Sequence, residues 1–214
     1  YVTLEPCGHQ GKTPPCVDSI IAAGIGRVIV AVDDPNPVTS GVGYQKLEAA
    51  GIEVVRDFMV QEGRYLAAPY LCRIRNGRPL VTAKWAMTAD GKIACVGGDS
   101  RWITSDLTRA ATREARGLID AILVGVETVL QDDPQLTCRV DDQPEPVRIV
   151  IDSSCRTPPG ASLLKESGEA LIYCHQDQLE GEPASALRTA GAQLIGLPVE
   201  EDRMPLKVLL EDLA

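Results

Sequence analysis

The sequence predicts an α/β protein with parallel sheets, divided into domains 1–75 and 76–214. Three observations carry that reading. Residues 27–32 and 121–125 are continuous apolar runs of strand length, the pattern of strands buried on both faces of a parallel sheet, and 148–152 reads as a strand around Ile149-Val150-Ile151. Helix-like segments, several closed by glycine, lie between the runs, so right-handed crossovers should connect the strands. A basic stretch with Gly and Pro, Arg73-Ile74-Arg75-Asn76-Gly77-Arg78-Pro79, separates the two series and reads as a linker.

The 214 residues suffice for one large or two small domains, and 44% hydrophobic content supports a sizeable core. A net charge of −9 argues against a nucleic-acid backbone as partner. A local basic pocket can still serve a small anionic ligand. The seven cysteines, an odd number without regular spacing, fit a reducing cytoplasm better than a secreted disulfide scaffold. The most apolar run, 118–130, is interrupted by Asp120 and Glu127, so no membrane span is expected. No repeat or low-complexity tract occurs. The chain opens at Tyr1 inside a strand pattern and closes just after a helix pattern, so both ends read as cuts through a longer protein.

In the first domain, residues 1–4 read as the end of a strand. A helix follows from Cys16 and stops at Gly24. The strand 27–32 ends at Asp33-Asp34-Pro35-Asn36-Pro37, a cluster of turn formers that also stands where open α/β sheets bind ligands. Turn chemistry alone explains it. Gly41 and Gly43 lead to a helix over 44–50, ended by Gly51, and 52–55 is the next strand. Residues 62–72 form a helix that Pro69 bends or breaks.

In the second domain, 80–87 alternates like a strand, 88–92 turns around Asp90-Gly91, and 93–96 returns. Thr104 or Ser105 caps a helix from 106 to 116 whose Arg109, Arg113 and Arg116 form a solvated face. A strand at 121–125, a turn of helix and a loop over 126–134, and a strand at 148–152 come next. Strands at 171–173 and 193–197 enclose a helix-like stretch, 185–190, behind Pro183, and 205–214 closes as a helix. No Gly-x-Gly-x-x-Gly follows any strand, so a Rossmann-type dinucleotide site is not expected.

Chemistry concentrates first in Thr3-Leu4-Glu5-Pro6-Cys7-Gly8-His9-Gln10-Gly11-Lys12-Thr13-Pro14-Pro15-Cys16. Cys16 sits in the first turn of a helix, where free N–H groups and the dipole favour a thiolate, and thiolates suit zinc. Nucleobase zinc deaminases place two cysteines on such a Pro-Cys corner, with the third ligand and a proton-moving Glu on an earlier His-x-Glu helix. Here eight residues separate the cysteines. This longer loop resembles the deaminase half of the bifunctional riboflavin-biosynthesis deaminase/reductase family. Lys84-Trp85-Ala86, Asp90-Gly91-Lys92, Ser100-Arg101-Trp102-Ile103, Val124-Gly125 with Thr128, and Asp132-Asp133-Pro134 with Leu136, Thr137 and Arg139 resemble its reductase half. The two motif sets occur in the family's order and span essentially the whole chain.

The resemblance implies the end of a cytidine-deaminase-like three-layer domain, followed by a dihydrofolate-reductase-like domain, truncated. It makes Cys7 and Cys16 zinc ligands, with the catalytic His and Glu ahead of Tyr1. Glu5 is not that Glu, and His9 is a loop or substrate-contacting residue rather than a ligand. In the second domain it assigns Ala86, Trp102, Thr128, Asp132 and Ser153 to NADPH and Ser100, Leu136 and Arg139 to a ribose-phosphate substrate. Lys84 is the candidate polar group beside the reacting ribose. Arg139 has a physical reason of its own, since a guanidinium pairs well with phosphate. The implied reactions are zinc-dependent deamination of 2,5-diamino-6-(5-phosphoribosylamino)pyrimidin-4-one, then NADPH reduction of the ribosyl group to ribityl, in a cytoplasmic homo-oligomer. The family's later Gly-rich phosphate cradle has no counterpart before Ala214. Two other readings stay open: a non-catalytic fragment that binds nucleotide, and a structural zinc module built on the two cysteines and His9.

Overall fold

The structure, a computed structural model, describes residues 1–140, 142–198 and 204–214. It divides into two compact units, Tyr1–Thr82 with Leu210–Ala214, and Ala83–Leu209.

In the first unit, β1 (Val2–Leu4), β2 (Arg27–Val32) and β3 (Glu53–Val55) form a parallel sheet in that order. Leu4 pairs with Val32 and Arg27 with Glu53. Val28 and Val30 bury their side chains with Val17 of α1 (Cys16–Ala22) and with Tyr44 and Leu47 of α2 (Val42–Ala49). α3 (Val60–Leu66) lies so close to β2 that a Cβ on Gly63 would stand 2.6 Å from Ala31 Cβ.

The expected helix over 62–72 is two helices. α4 (Ala68–Asn76) begins just before Pro69, which sits in its first turn, where the missing N–H costs no hydrogen bond. α4 then consumes residues 73–76 of the expected linker. It stops at Gly77, whose φ of 62° takes the left-handed cap and whose N–H donates to Arg73 O at 2.9 Å.

In the second unit, β4 (Ala121–Gly125), β5 (Val147–Ile151), β6 (Ala170–His175) and β7 (Gln193–Leu197) are parallel and ordered β4-β5-β6-β7. Gly125 pairs with Ile151, Ile151 with Tyr173, and Tyr173 with Ile195. Each step to the next strand crosses on one face. Val126 and Val129 of α6 (Val126–Asp132), Leu163 of α7 (Ser162–Lys165), and Ala184 and Leu187 of α8 (Glu182–Thr189) pack there with Val150, Ile172 and Cys174. One hand of crossover repeated three times gives that one-sided layer. α5 (Asp106–Arg116) is capped by Ser105, whose hydroxyl accepts from Thr108 N–H at 3.3 Å. α9 (Leu206–Asp212) buries Leu209.

The strands expected over 80–87 and 93–96 are absent. The turn between them forms: Thr88 N–H donates to Lys92 O at 2.9 Å, and Gly91 takes φ 78°. Those contacts are local. A strand needs a neighbouring ladder, and among the described residues none pairs with either segment. Trp85, Met87, Ile93 and Val96 are accordingly exposed.

Energetically, the two parts of this unit should differ. Ile172→Ala should cost about 2–5 kcal/mol of unfolding free energy, because Ile172 is fully buried in the helix-covered core. Val96→Ala should stay within about 0.5 kcal/mol. Urea unfolding of the two variants beside the parent checks the contrast.

Candidate functional site

β1 runs straight into the cysteine corner. Glu5 N–H donates to Val32 O at 2.9 Å, continuing the pairing of β1 with β2. Pro6 then approaches α2 so closely that a Cβ on Gly43 would lie 1.9 Å from Pro6 O. Gly8 O accepts from Lys46 Nζ at 2.6 Å. The loop returns through Val17 N–H, donated to Cys7 O at 3.3 Å. These contacts bring the two sulfurs within 3.2 Å of each other, and Cys16 N–H points at Cys7 Sγ, also at 3.2 Å. Both cysteines are free.

The first turn of α1 does not make Cys16 the easily ionised thiol that its position promised. The Cys7 sulfur beside it, with burial, pushes its pKa up. Two sulfurs in contact compete to keep a proton, because ionising both brings like charges together.

A cavity of about 720 Å³ opens beside the pair, lined among others by His9, Asp34, Asn36, Thr39 and Tyr70. His9 faces Thr39, with Nδ1 3.4 Å from Oγ1. Asp34, buried, accepts from Tyr70 Oη at 2.8 Å and from Asn36 N–H at 2.9 Å. The turn cluster that ends β2 is thus also a wall of this cavity. Glu5 is buried, and burial pushes its carboxyl up, against the lowering effect of the Asp34 and Gly41 N–H groups. Among the described residues no three His, Cys, Asp or Glu side chains gather as a metal cluster.

The second constellation stands at the C-terminal edge of the four-stranded sheet. Thr128 lies in the first turn of α6, directly after β4, and Ser153 follows β5. Pairing of Gly125 with Ile151 makes these positions neighbours on one edge. Arg156 Nη2 donates to Glu127 Oε1 at 2.6 Å and ties the two connections together. Asp132, at the end of α6, lies 3.6 Å from Arg101 Nη2, which brings the loop carrying Ser100 and Trp102 to that helix. Trp102 is exposed, with the Arg109 guanidinium 4.3 Å above its ring.

Leu136 and Arg139 both take left-handed backbone, each with φ 58°. Leu136 packs its side chain into the core, so any ligand contact there falls to its backbone. Arg139 is exposed and donates to Gln135 Oε1 at 2.8 Å and to Thr137 Oγ1 at 3.4 Å. Arg116 donates to Thr137 O at 3.1 Å. The reading of Arg116 as part of a solvated face is therefore corrected: it is half-buried, and burial with the nearby Arg139 and Arg113 guanidiniums lowers its pKa. Its signal in the sequence was its place on the last turn of α5, just ahead of the buried Gly117. Lys84 and Ala86 stay on the irregular 80–87 segment, where Lys84 is exposed and makes no ion pair or hydrogen bond among the described residues. The structure thus sets Thr128 and Ser153 on one edge, Asp132 at the far end of α6 beside the loop of Ser100 and Trp102, and Arg139 with Arg116, and it joins neither Lys84 nor Ala86 to them.

One electrostatic link beside the cysteine corner is open to test. Arg56 donates to Asp33 at 3.2 and 2.5 Å and Tyr44 Oη at 2.8 Å, and these contacts hold the Asp33 carboxyl below its usual range. Stability from this group is present above the unfolded carboxylate pKa of about 3.9 and is lost as pH falls through the lower folded value. The urea midpoint of Asp33→Asn should fall below the parent's near neutrality, and the gap should shrink at about pH 3. The gap is modest, since the pair is partly exposed.

A family model described as the RibD C-terminal domain matches residues 79–214. The riboflavin biosynthesis protein RibD of Aquifex aeolicus is 45% identical over 91% of this chain and 54% of its own length. That of Escherichia coli K12 is 38% identical over 100% of this chain and 60% of its own length. A solved diaminohydroxyphosphoribosylaminopyrimidine deaminase/5-amino-6-(5-phosphoribosylamino)uracil reductase from Thermotoga maritima is 36% identical, with TM-score 0.83 over 99% of this chain and 57% of that one. The yeast riboflavin biosynthesis reductase Rib7, 20% identical with TM-score 0.51 over 70% of this chain and 65% of that one, is alike in fold alone. The chain spans little more than half the length of the curated relatives it matches. On the match over 79–214, this chain belongs to the RibD C-terminal domain family.

Proposed function

We propose that this chain serves riboflavin biosynthesis and that its second unit is an NADPH-dependent reductase acting on the ribosyl group of a phosphoribosylamino-pyrimidine. One observation carries the reading. Arg116 and Arg139 converge on Thr137 as hydrogen-bond donors, and among the described residues neither guanidinium is in a salt bridge. Two guanidiniums brought together form a site that a phosphate completes.

The edge of the sheet fits the cofactor in the same sense. Thr128, Asp132 and Ser153 stand on adjoining connections beyond the strand C-termini, where open sheets take nucleotides. NADPH, when bound, supplies the hydride that turns the opened ribosyl group into a ribityl chain. The chain's own residues bind and orient. Ala86, Trp102, Thr128, Asp132 and Ser153 hold the cofactor. Ser100, the Leu136 backbone and Arg139, with Arg116, hold the ribose phosphate. Lys84 is the candidate polar group beside the sugar.

The first unit reads as part of a zinc-dependent deaminase. The Cys7–Cys16 pair, with an N–H aimed at sulfur, fits two corners of a tetrahedral zinc, and the cavity beside it fits a pyrimidine. Zinc there would activate water for attack on the amine-bearing carbon. A cytoplasmic homo-oligomer completes the reading, in line with seven free cysteines. A purely structural zinc module fits less well, because His9 is turned to Thr39.

Arg139→Ala should raise the KM for the phosphorylated substrate about 10- to 100-fold, the worth of charge-assisted hydrogen bonds. The KM for NADPH should barely move. Steady-state NADPH oxidation measures both, and an unchanged substrate KM removes the phosphate from this site. For the first unit, cobalt(II) titration should give thiolate-to-metal absorption in the parent and none in Cys7→Ser or Cys16→Ser. No such absorption in the parent would take the metal away from this corner.

A further inference from the structure

The turn after β5 is held by buried hydrogen bonds beneath an exposed guanidinium. Asp152 is fully buried, and its Oδ2 accepts both Thr157 N–H and Thr157 Oγ1 at 2.7 Å. Cys155 N–H donates to Asp152 O at 3.2 Å, and His175 N–H donates to Ser153 O at 3.0 Å. Cys155 and Thr157 are buried, whereas Ser154 and Arg156, which alternate with them, are exposed. The underside of the turn is therefore fixed by the sheet, and its upper side presents a hydroxyl and a guanidinium.

That guanidinium has one tether among the described residues, Glu127 Oε1 at 2.6 Å. The pair is open to water, with 49% of the Arg156 and 67% of the Glu127 side chain exposed. A partly exposed pair of this kind contributes little, so a better anion displaces the carboxylate readily. Among the described residues Arg156 Nε and Nη1 have no partner, which leaves a planar face for a bidentate acceptor.

We propose that Arg156 is the residue that selects NADPH over NADH, by pairing with the phosphate on the adenosine ribose, and that Glu127 occupies it until the cofactor arrives. The inference rests on the NADPH reading of this edge. The two cofactors differ only by that phosphate, and a guanidinium with a free planar face is suited to take it as a bidentate acceptor. β4, α6 and β5 form a βαβ unit, and Arg156 follows its second strand. Among the described residues Arg101 sits on the far end of α6, against Asp132, and Arg188 of α8 acts on Cys155 but donates to Leu179 O.

Quenching of tryptophan fluorescence by NADPH and by NADH, in the parent, Arg156→Ala, Glu127→Gln and Arg101→Ala, tests the assignment. Arg156→Ala should weaken NADPH about 10- to 100-fold and change NADH less than about two-fold. Glu127→Gln should tighten NADPH, and Arg101→Ala should keep the parent's preference. Thermal midpoints close to the parent's would exclude unfolding as the cause. If Arg156→Ala keeps the preference, or weakens both cofactors alike, the assignment to Arg156 is wrong while the NADPH reading stands. If the parent binds neither cofactor, the NADPH reading itself fails, and this inference fails with it.

Discussion

Parallel pairing of β4 with β5, in the register that sets Gly125 beside Ile151, is the constraint on which the second unit depends. Parallel strands put all their C-terminal connections on one edge. Residues distant in sequence, Glu127 and Thr128 on one connection and Ser153 to Thr157 on the next, become neighbours without any direct attraction between them. The buried face of the same strands, Val124 and Val150 with the helices over them, supplies the apolar energy that holds the edge still. A slip of one residue would exchange Val150, in the helix-covered core, with Ile149, buried on the opposite face, so both faces would have to repack.

The first unit solves the same problem with closer contacts. Gly43 and Gly63 are places where a helix meets a neighbour at distances that exclude a Cβ. The first brings α2 against Pro6 and so shapes the loop that holds Cys7 beside Cys16. The acidic turn after β2 does two jobs. Asp33 locks β3 through Arg56, and Asp34, with Tyr70, walls the cavity. Neither the sulfur pair nor the cavity belongs to one element. Both exist because β1 and β2 end side by side.

Much of this was legible in the residues. Apolar runs gave β2, β4 and β5, but of these only β5 is buried on both faces; β2 alternates in burial, and β4, at the sheet edge, leaves Leu123 exposed. Gly77, read as linker, caps α4, whereas Ser105 marked a helix start through local chemistry and the Thr88–Lys92 turn formed as its Asp-Gly required. The flanking strands did not form. Their alternating pattern was genuine, but strand formation is a contract between two segments, and a pattern in one segment cannot state who the partner is. Arg116 was misread for a related reason. Helical spacing locates a face but not what covers it.

The sequence by itself determined the class of fold, the order of most elements, the Pro-Cys corner and the family to which the chain belongs. These rest on local preferences and on motifs contiguous in the chain. Only the tertiary structure decided that Cys16 is held back from ionising by Cys7, that Leu136 offers backbone rather than side chain, and that Arg156 rides on a turn fixed by a buried Asp152. Each of these depends on which groups share a small volume, and burial, charge repulsion and hydrogen bonding act through distance in space, not through separation along the chain.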